Sequence, residues 1–185
     1  MATGWKRIAR RIRVPLGFAF AVVYFWLARP SWLFLGFSLI LVAPGLLLRG
    51  YASGYVKKNA ELTTTGPYAH TRNPLYLGSM LIAAGFAVAA RSVWIAVVLI
   101  VLFLAIYIPV IRGEEEYLRS AFPGFDAYAA RVPRLLPRIT PARQPGAAPG
   151  VFSGALYRKH RETNALMGAA AMYAALILKL IFLKR

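Results

Sequence analysis

The chain alternates between long uncharged segments and short polar segments that are mostly basic. Five segments contain no charged side chain: residues 14–28, 30–48, 73–90, 92–111 and 163–178. Each is close to the roughly 20 residues that a helix needs to cross the hydrocarbon core of a bilayer, because a helix rises about 1.5 Å per residue. The pattern therefore predicts about five transmembrane helices.

A helical form is expected because every backbone N–H and C=O in hydrocarbon must be satisfied within a helix or a closed barrel. The uncharged segments lack the alternation of a barrel strand, so we predict an all-α, polytopic membrane helix bundle. The first segment follows basic residues, as in a signal peptide. However, no small-residue cleavage site follows Ala28, and Arg29-Pro30 leads directly into the next segment. We interpret it as a retained helix.

Two polar stretches interrupt the uncharged segments, and a third stretch has the composition of a linker. Residues 51–65 are expected to form a surface helix or loop before a turn at Gly66-Pro67. Residues 114–131 have helical periodicity and predict one short amphipathic helix. Residues 144–154 are rich in Gly, Ala and Pro. The predicted organisation is a membrane domain at 1–143, with motifs at 52–78 and 112–137, a linker at 144–154 and a C-terminal membrane helix at 155–185.

The charge balance is strongly basic, with 23 Lys and Arg against 6 Asp and Glu. The basic residues gather before the first span, between the second and third, and after the fourth. The positive-inside rule places these segments in the cytoplasm, where they would attract anionic membrane lipids; we predict no nucleic-acid partner. Lys179, Lys184 and Arg185 fit this topology poorly, so the last helix is left unassigned. The chain has no cysteine, which excludes disulfides, thiolate metal sites and cysteine nucleophiles.

The two polar stretches flank one predicted helical hairpin, which turns at Ala90-Arg91-Ser92. A connection this short makes its two helices antiparallel neighbours and returns the chain to the same side of the membrane. The two stretches are therefore expected to meet at the cytoplasmic mouth of the hairpin and to form a site.

The residues of these stretches form a recognisable pattern. The first stretch contains Gly66, Tyr68, Arg72, Pro74, Tyr76 and Gly78; the second contains Glu114, Glu115, Leu118 and Phe122, followed by Tyr128, Val132 and Pro133. Over roughly residues 52–137 this resembles the isoprenylcysteine carboxyl methyltransferase and phospholipid methyltransferase superfamily. In that family a Gly-x-Tyr, an Arg-His-Pro-x-Tyr-x-Gly and a Glu-Glu-x-x-Leu-x-x-x-Phe motif, with a Val-Pro-Arg-like tail, enclose S-adenosylmethionine. Asn73 replaces the family histidine, and Phe122-Pro123-Gly124 replaces a common Phe-Gly.

The resemblance implies a methyltransferase that uses S-adenosylmethionine and acts on a lipid-like or amphiphilic acceptor, at a carboxyl or an amine. It implies cofactor-binding roles for one set of residues: Ala60, Glu61, Leu62, Thr63, Tyr68, Asn73, Pro74, Leu75, Tyr76, Glu114 and Glu115. The expected catalytic residues are Arg72, Arg112 and Glu115.

The side-chain chemistry supports these roles. Methyl transfer from a sulfonium is an in-line displacement, so the protein mainly supplies alignment and an electrostatic environment. Glutamates suit ribose hydroxyls or the cofactor's positive groups, Tyr68 and Tyr76 offer aromatic faces, and Arg72 and Arg112 suit a carboxylate. Consecutive residues of a helix point about 100° apart, so Glu114 and Glu115 cannot both face one pocket, and Glu115 is preferred.

Simpler interpretations remain open. Glu115 and Arg119 have the spacing of a solvent-exposed pair on a helix. His70 is either a surface residue or the base for an amine acceptor, a role for which a glutamate is the other candidate. His160 is expected in a lipid-facing basic cluster. Neither histidine has a second ligand at metal-binding spacing, so no metal is predicted. Two other functions stay possible: an NADPH-dependent membrane reductase, or a basic membrane adaptor without enzymatic activity.

Overall fold

The computed structural model describes residues 19–57, 60–142 and 150–182. Within these ranges all regular secondary structure is helical, which confirms the predicted all-α class. The helices are α1 (19–27), α2 (Trp32–Ser53), α3 (Pro74–Ala90), α4 (Val93–Leu102), α5 (Ile108–Ala121), α6 (Phe125–Arg131), α7 (Gly154–Lys159) and α8 (Thr163–Phe182). A 3-10 turn, Gly66–Ala69, precedes α3, and a π-helical turn, Phe103–Tyr107, joins α4 to α5.

Within the described part of the chain, three helices are long and apolar enough to cross a membrane: α2, the continuous helix Val93–Ala121, and α8. Helix α3 is also apolar but has only 17 residues. The structure thus agrees with the predicted helical membrane bundle. Of the first predicted span, residues 14–18 lie outside the described residues and residues 19–27 are helical.

The predicted single amphipathic helix over residues 114–131 is wrong. Helix α5 ends at Ala121 and α6 begins at Phe125. Pro123 explains the break, because proline has no N–H to donate and its ring clashes with the preceding helical turn. A short turn replaces the helix there, with the N–H of Phe125 donating to the carbonyl of Phe122 at 3.0 Å.

The chain divides into two compact units. The first contains residues 1–43, 82–114 and 168–185. Its buried core is formed by Tyr24, Ala28, Leu35, Ala89, Ala90, Ile95, Leu176 and Leu180. Several of these are alanines, which allow helices to approach closely. The hydroxyl of Tyr24 donates to the carbonyl of Phe86 at 2.8 Å, so this buried polar atom is satisfied.

The second unit contains residues 44–81 and 115–167. Its apolar core is formed by Phe125, Tyr128 and Val132, with Leu62, Leu118, Ala129 and Ala142 packed against it. Most of the predicted linker at 144–154 lies outside the described residues. Its last part makes contacts within this unit, since the N–H of Ser153 donates to the carbonyl of Gly54 at 2.9 Å. The division at 1–143, 144–154 and 155–185 stays a prediction.

Candidate functional site

The polar segment before α3 begins with a turn that requires glycine. Gly66 has a φ of +58°, a left-handed conformation that other residues adopt only with strain. A β-carbon at this position would also lie 2.5 Å from the ring of Tyr55. The turn carries Tyr68 into the interior, where 8% of its surface remains exposed. The first motif glycine therefore has a local structural role.

Residues 132–142, here called the strap, run alongside residues 69–73 and bind them through backbone groups. Three N–H groups donate at 2.9 Å each: Arg72 to the carbonyl of Pro133, Arg138 to that of His70, and Ala142 to that of Ala69. The hydroxyl of Thr71, which is buried, lies 3.2 and 3.1 Å from the carbonyls of Arg134 and Leu135. The strap therefore fixes the backbone that carries Arg72 and Asn73.

Glu115 is the centre of the polar contacts in this unit. Its Oε1 accepts hydrogen bonds from Nε of Arg72 at 3.0 Å and from Nδ2 of Asn73 at 3.2 Å. Its Oε2 accepts from Arg134, at 2.9 Å from Nε and 2.8 Å from Nη2. The Glu115 side chain is 5% exposed, and a carboxylate this deeply buried requires partners of this kind. Glu115 thus joins the first motif to the strap.

Arg72 does more than balance the charge of Glu115. Its Nη1 donates to the carbonyls of Ala129 at 2.7 Å and Val132 at 3.1 Å, which lie at the end of α6. These carbonyls have no partner within the helix, and an arginine near a helix C-terminus satisfies them. One guanidinium therefore connects α5 and α6, and its side chain is only 13% exposed.

Tyr128 belongs to the apolar core of the second unit and also contacts the turn before α3. Its hydroxyl donates to the carbonyl of Tyr68 at 2.8 Å. Burial raises the pKa of the Tyr128 phenol well above its ordinary value of about 10, because the charged phenolate would lose its hydration. The phenol consequently stays protonated and remains a donor throughout the neutral and moderately alkaline range.

The structure brings together three of the predicted site residues, Arg72, Asn73 and Glu115, by direct contact. Pro74, Leu75 and Tyr76 form the first turn of α3 directly after them; Pro74 is fully buried, and Leu75 and Tyr76 are half-buried. Because Tyr68 is buried, its ring offers little accessible face for the stacking role expected from the sequence.

The residues of the predicted cofactor stretch Ala60–Thr63 differ in their exposure to solvent. Ala60 and Glu61 are exposed, and Glu61 pairs with Lys57 at 3.0 Å. Leu62 packs against the apolar core of the second unit, and the Thr63 hydroxyl accepts from the N–H of Lys57 at 3.3 Å. This stretch therefore forms a turn held by its own contacts.

Two other predicted residues, Arg112 and Glu114, are exposed and belong to the first unit. Their predicted roles in catalysis and cofactor binding, like those of the residues in the second unit, remain predictions. The alternative in which Glu115 forms a surface pair with Arg119 is wrong. Glu115 is buried, and Nε of Arg119 instead pairs with Asp126 at 2.7 Å.

Sequence reasoning missed Arg134, the second arginine on Glu115. The Val-Pro-Arg-like tail of the motif was the available signal, since Val132 and Pro133 were matched to it and Arg134 is the next residue. The side chain of Arg134 is 42% exposed, in contrast to Glu115. It is therefore the partner of Glu115 that solvent reaches most readily.

Both histidines are engaged with backbone carbonyls. Nδ1 of His70 lies 2.8 Å from the carbonyl of Arg138, so this nitrogen carries the proton and donates it. Nδ1 of His160 lies 3.0 Å from the carbonyl of Ser53, and His160 is half-buried, unlike the lipid-facing position expected. Among the described residues, no three His, Cys, Asp or Glu side chains lie close enough together to hold a metal ion.

The sequence of the chain is similar to one family of known proteins and to two individual relatives. The relatives are the nickel-cobalt-cadmium resistance protein NccN of Alcaligenes xylosoxydans xylosoxydans, 41% identical over 83 residues, and the cobalt-zinc-cadmium resistance protein CzcN of Cupriavidus metallidurans, 42% identical over 83 residues. In both cases the similarity covers 45% of this chain and 38% of the relative, so the chain matches about two fifths of their length. No solved structure has significant similarity to the chain.

The family model for phospholipid methyltransferases matches residues 13–124, which is more than half of the chain and includes Arg72, Asn73 and Glu115. This match confirms the resemblance found in the motifs, and it agrees with helices that are apolar enough to span a membrane. The chain belongs to the phospholipid methyltransferase family of membrane-associated proteins.

Proposed function

We propose that the protein is a multi-pass membrane methyltransferase that transfers a methyl group from S-adenosylmethionine to an amphiphilic acceptor. The observation that carries the proposal is the buried carboxylate of Glu115, held by Arg72, Asn73 and Arg134. Three of these residues belong to the motifs within the family match, and burial of a charged side chain such as Glu115 is typical of functional sites.

The charges of this cluster suit the cofactor. Two arginines surround one glutamate, which leaves one positive charge in excess. S-adenosylmethionine carries a carboxylate that an arginine can bind through two parallel hydrogen bonds. Arg134 is the better placed arginine for this role, because its side chain is 42% exposed whereas that of Arg72 is 13% exposed. The half-buried Tyr76 offers the more accessible aromatic face for adenine or the sulfonium.

The bound cofactor would supply an activated methyl group on a positively charged sulfur. A lone pair of the acceptor forms the new bond to the methyl carbon while the carbon–sulfur bond breaks and its electron pair stays on sulfur. This displacement needs no covalent intermediate on the protein. The residues of this chain hold the reactants in line and balance charge, and such positioning accounts for much of the rate increase in reactions of this type.

The acceptor belongs to a lipid-like or amphiphilic class, because the site lies in a protein whose helices suit a membrane. A carboxylate acceptor is already an anion and needs no base. An amine acceptor must first lose a proton, and His70 is the candidate to receive it. Nδ1 of His70 donates to a carbonyl, which leaves Nε2 as the nitrogen that would accept the proton.

We propose that the site faces the cytoplasm. Arg72 and Arg134 lie in segments that carry many of the basic residues between the uncharged runs, and such segments stay on the cytoplasmic side. In this topology the basic segments would also contact anionic membrane lipids. Cytoplasmic orientation gives the site direct access to water-soluble S-adenosylmethionine.

The two relatives are named for resistance to metals. Because the described residues contain no cluster of three metal ligands, we favour methylation of a membrane component over direct metal binding as the activity of this chain. The reductase and adaptor alternatives make different predictions. A reductase would consume NADPH, and an adaptor would bind anionic vesicles equally well without Glu115 and Arg72.

The test is calorimetric titration of the detergent-purified protein with S-adenosylmethionine, comparing wild type with Glu115→Gln and Tyr76→Ala. Saturable binding that weakens in both variants supports the proposal. An absence of binding to a folded wild type rejects it. The matched control is Glu116→Gln, which makes the same chemical change at the neighbouring exposed position.

A further inference from the structure

Another largely buried ion pair in the second unit is unexplained by the motifs. Arg49, near the end of α2, forms a two-pronged pair with Glu162, the residue that precedes α8. Nε of Arg49 lies 3.0 Å from Oε2 of Glu162, and Nη2 lies 2.9 Å from Oε1. The two side chains are 23% and 9% exposed. Planar pairing of this kind combines strength with a fixed geometry.

The remaining nitrogen of Arg49 reaches α3. Its Nη1 donates to the hydroxyl of Ser79 at 2.5 Å and lies 3.4 Å from the carbonyl of Leu75. The hydroxyl of Ser79 in turn donates to the carbonyl of Leu75 at 3.0 Å. Arg49 thus holds the first two turns of α3, where the predicted cofactor residues Pro74, Leu75 and Tyr76 lie.

The last glycine of the first motif makes this approach possible. A β-carbon at Gly78 would lie 2.6 Å from Cγ of Arg49 and 2.8 Å from the carbonyl oxygen of Gly45. Any larger side chain would therefore push α2 and α3 apart where Arg49 crosses. The position of Arg49 therefore depends on the lack of a side chain at Gly78, although 28 residues separate the two in the sequence.

Glu162 is important because it lies beyond the family match, which ends at residue 124. The carbonyl of Glu162 accepts from the N–H of Ala165 at 3.0 Å, so this residue also starts α8. A carboxylate at the start of a helix is favourable there, because the helix N-terminus carries a partial positive charge. Glu162 is therefore held in place by α8 while its side chain holds Arg49.

We propose that Arg49 and Glu162 are positioning residues for the methyl-transfer site: Glu162 orients Arg49, and Arg49 fixes the first two turns of α3. The C-terminal segment that carries Glu162 thereby becomes part of the functional unit. The positional effect depends only on the contacts of Arg49. Its consequence for cofactor affinity rests on the proposed function.

The direct test is hydrogen exchange, followed by mass spectrometry, of peptides covering residues 74–81 in the full-length protein. In Glu162→Gln we expect exchange in these peptides to be faster by about tenfold, because a largely buried arginine loses its charged partner. Arg49→Lys keeps the charge but lacks the planar fork, so it should also accelerate exchange in the same peptides. This second variant decides the question if Glu162→Gln does not fold.

The matched control is Asp126→Asn, which breaks the exposed pair between Arg119 and Asp126 in the same unit. It should leave residues 74–81 unchanged. The proposal is overturned if exchange at 74–81 stays within about twofold of wild type in folded Glu162→Gln and Arg49→Lys, or if the control raises it equally, since exposed pairs contribute little.

Titration with S-adenosylmethionine separates this proposal from the proposed function. If wild type binds the cofactor, Glu162→Gln should weaken binding, and its effect should not add to that of Tyr76→Ala, since both act on one turn of α3. Additive effects would contradict positioning through this turn. If wild type shows no binding, the methyltransferase proposal fails, while the exchange experiment still decides whether Arg49 and Glu162 fix α3.

Discussion

Glu115 and Arg134 form an ion pair whose two members differ sharply in exposure: the glutamate side chain is 5% exposed and the arginine side chain 42%. Glu115 also receives hydrogen bonds from Arg72 and Asn73, which are largely buried with it. This asymmetry distinguishes Arg72, a largely buried partner of Glu115, from Arg134, a partner that solvent reaches.

Replacing the two arginines should therefore give different results. Arg72→Ala should destabilise the protein by about 3 kcal/mol or more, because the buried carboxylate of Glu115 loses its largely buried cationic partner and two helix-end carbonyls lose their donor. Arg134→Ala should cost about 1 kcal/mol or less, since that side chain is partly solvated. Thermal unfolding in detergent measures both. Equal losses of stability would contradict the distinction.

The same two substitutions should separate stability from cofactor affinity. In the proposed methyltransferase, Arg134→Ala should weaken binding of S-adenosylmethionine by about tenfold or more, because a charged hydrogen bond to the cofactor carboxylate is lost. Calorimetric titration gives the affinity. Arg138→Ala is the control, as it removes an exposed arginine of the same strap. Unchanged affinity in Arg134→Ala would exclude it as a ligand of the cofactor.

Tyr128→Phe should lower the free energy of unfolding by about 1 to 3 kcal/mol, because the buried carbonyl of Tyr68 loses its donor. Tyr117→Phe, at a position that is 51% exposed, is the matched control and should have a smaller effect. Both variants are compared by thermal unfolding near neutral pH. A loss that is equal in the two variants would contradict the structural role of the Tyr128 hydroxyl.

The effect of Tyr128→Phe should also depend on pH. Burial raises the pKa of the folded-state phenol above the unfolded value of about 10. Its contribution to stability is therefore fully present below pH 10 and is lost as the pH rises above 10 towards the folded pKa. Unfolding measured from pH 7 to 11 should show the difference between wild type and variant shrinking only above about pH 10.

Gly66→Ala should destabilise the turn before α3 by about 1 kcal/mol or more, since φ is +58° and the added carbon meets the ring of Tyr55. Gly124→Ala is a suitable control, because its φ is −79° and nothing lies within 4 Å of the added carbon. Limited proteolysis of the segment around residue 66 would detect the loosened turn. Equal protection of both variants would show that the turn tolerates a side chain.

Much of the site followed from the sequence because its residues lie in short motifs. Arg72, Asn73 and Glu115 were all named, and the hairpin between the motifs was predicted to bring them to one side. The sequence predicts one helix over residues 114–131, which is too long, because Leu118, Phe125 and Tyr128 keep an approximately helical spacing across the break between α5 and α6. All three contribute to one apolar cluster, and Pro123 interrupts the backbone between them.

The pair of Arg49 and Glu162 was beyond prediction for a different reason. The two residues are 113 positions apart, and neither belongs to a motif or to an amphipathic repeat. In the sequence, Arg49 is only one of several basic residues between the second and third uncharged segments. A long-range ion pair leaves no local pattern, because it depends on where two distant helix ends meet in the folded chain.

The strap has a consequence for the order in which the protein is made. Hydrogen bonds from Arg72 and Asn73 to carbonyls of the strap join positions 60 and 61 residues apart, and helices α3 to α6 lie between them. A chain emerging from the ribosome carries Arg72 and Asn73 long before these carbonyls exist. The two side chains can reach Glu115 earlier, but their bonds to the strap form only once residues 132–142 have been made. The cluster is therefore completed late in synthesis.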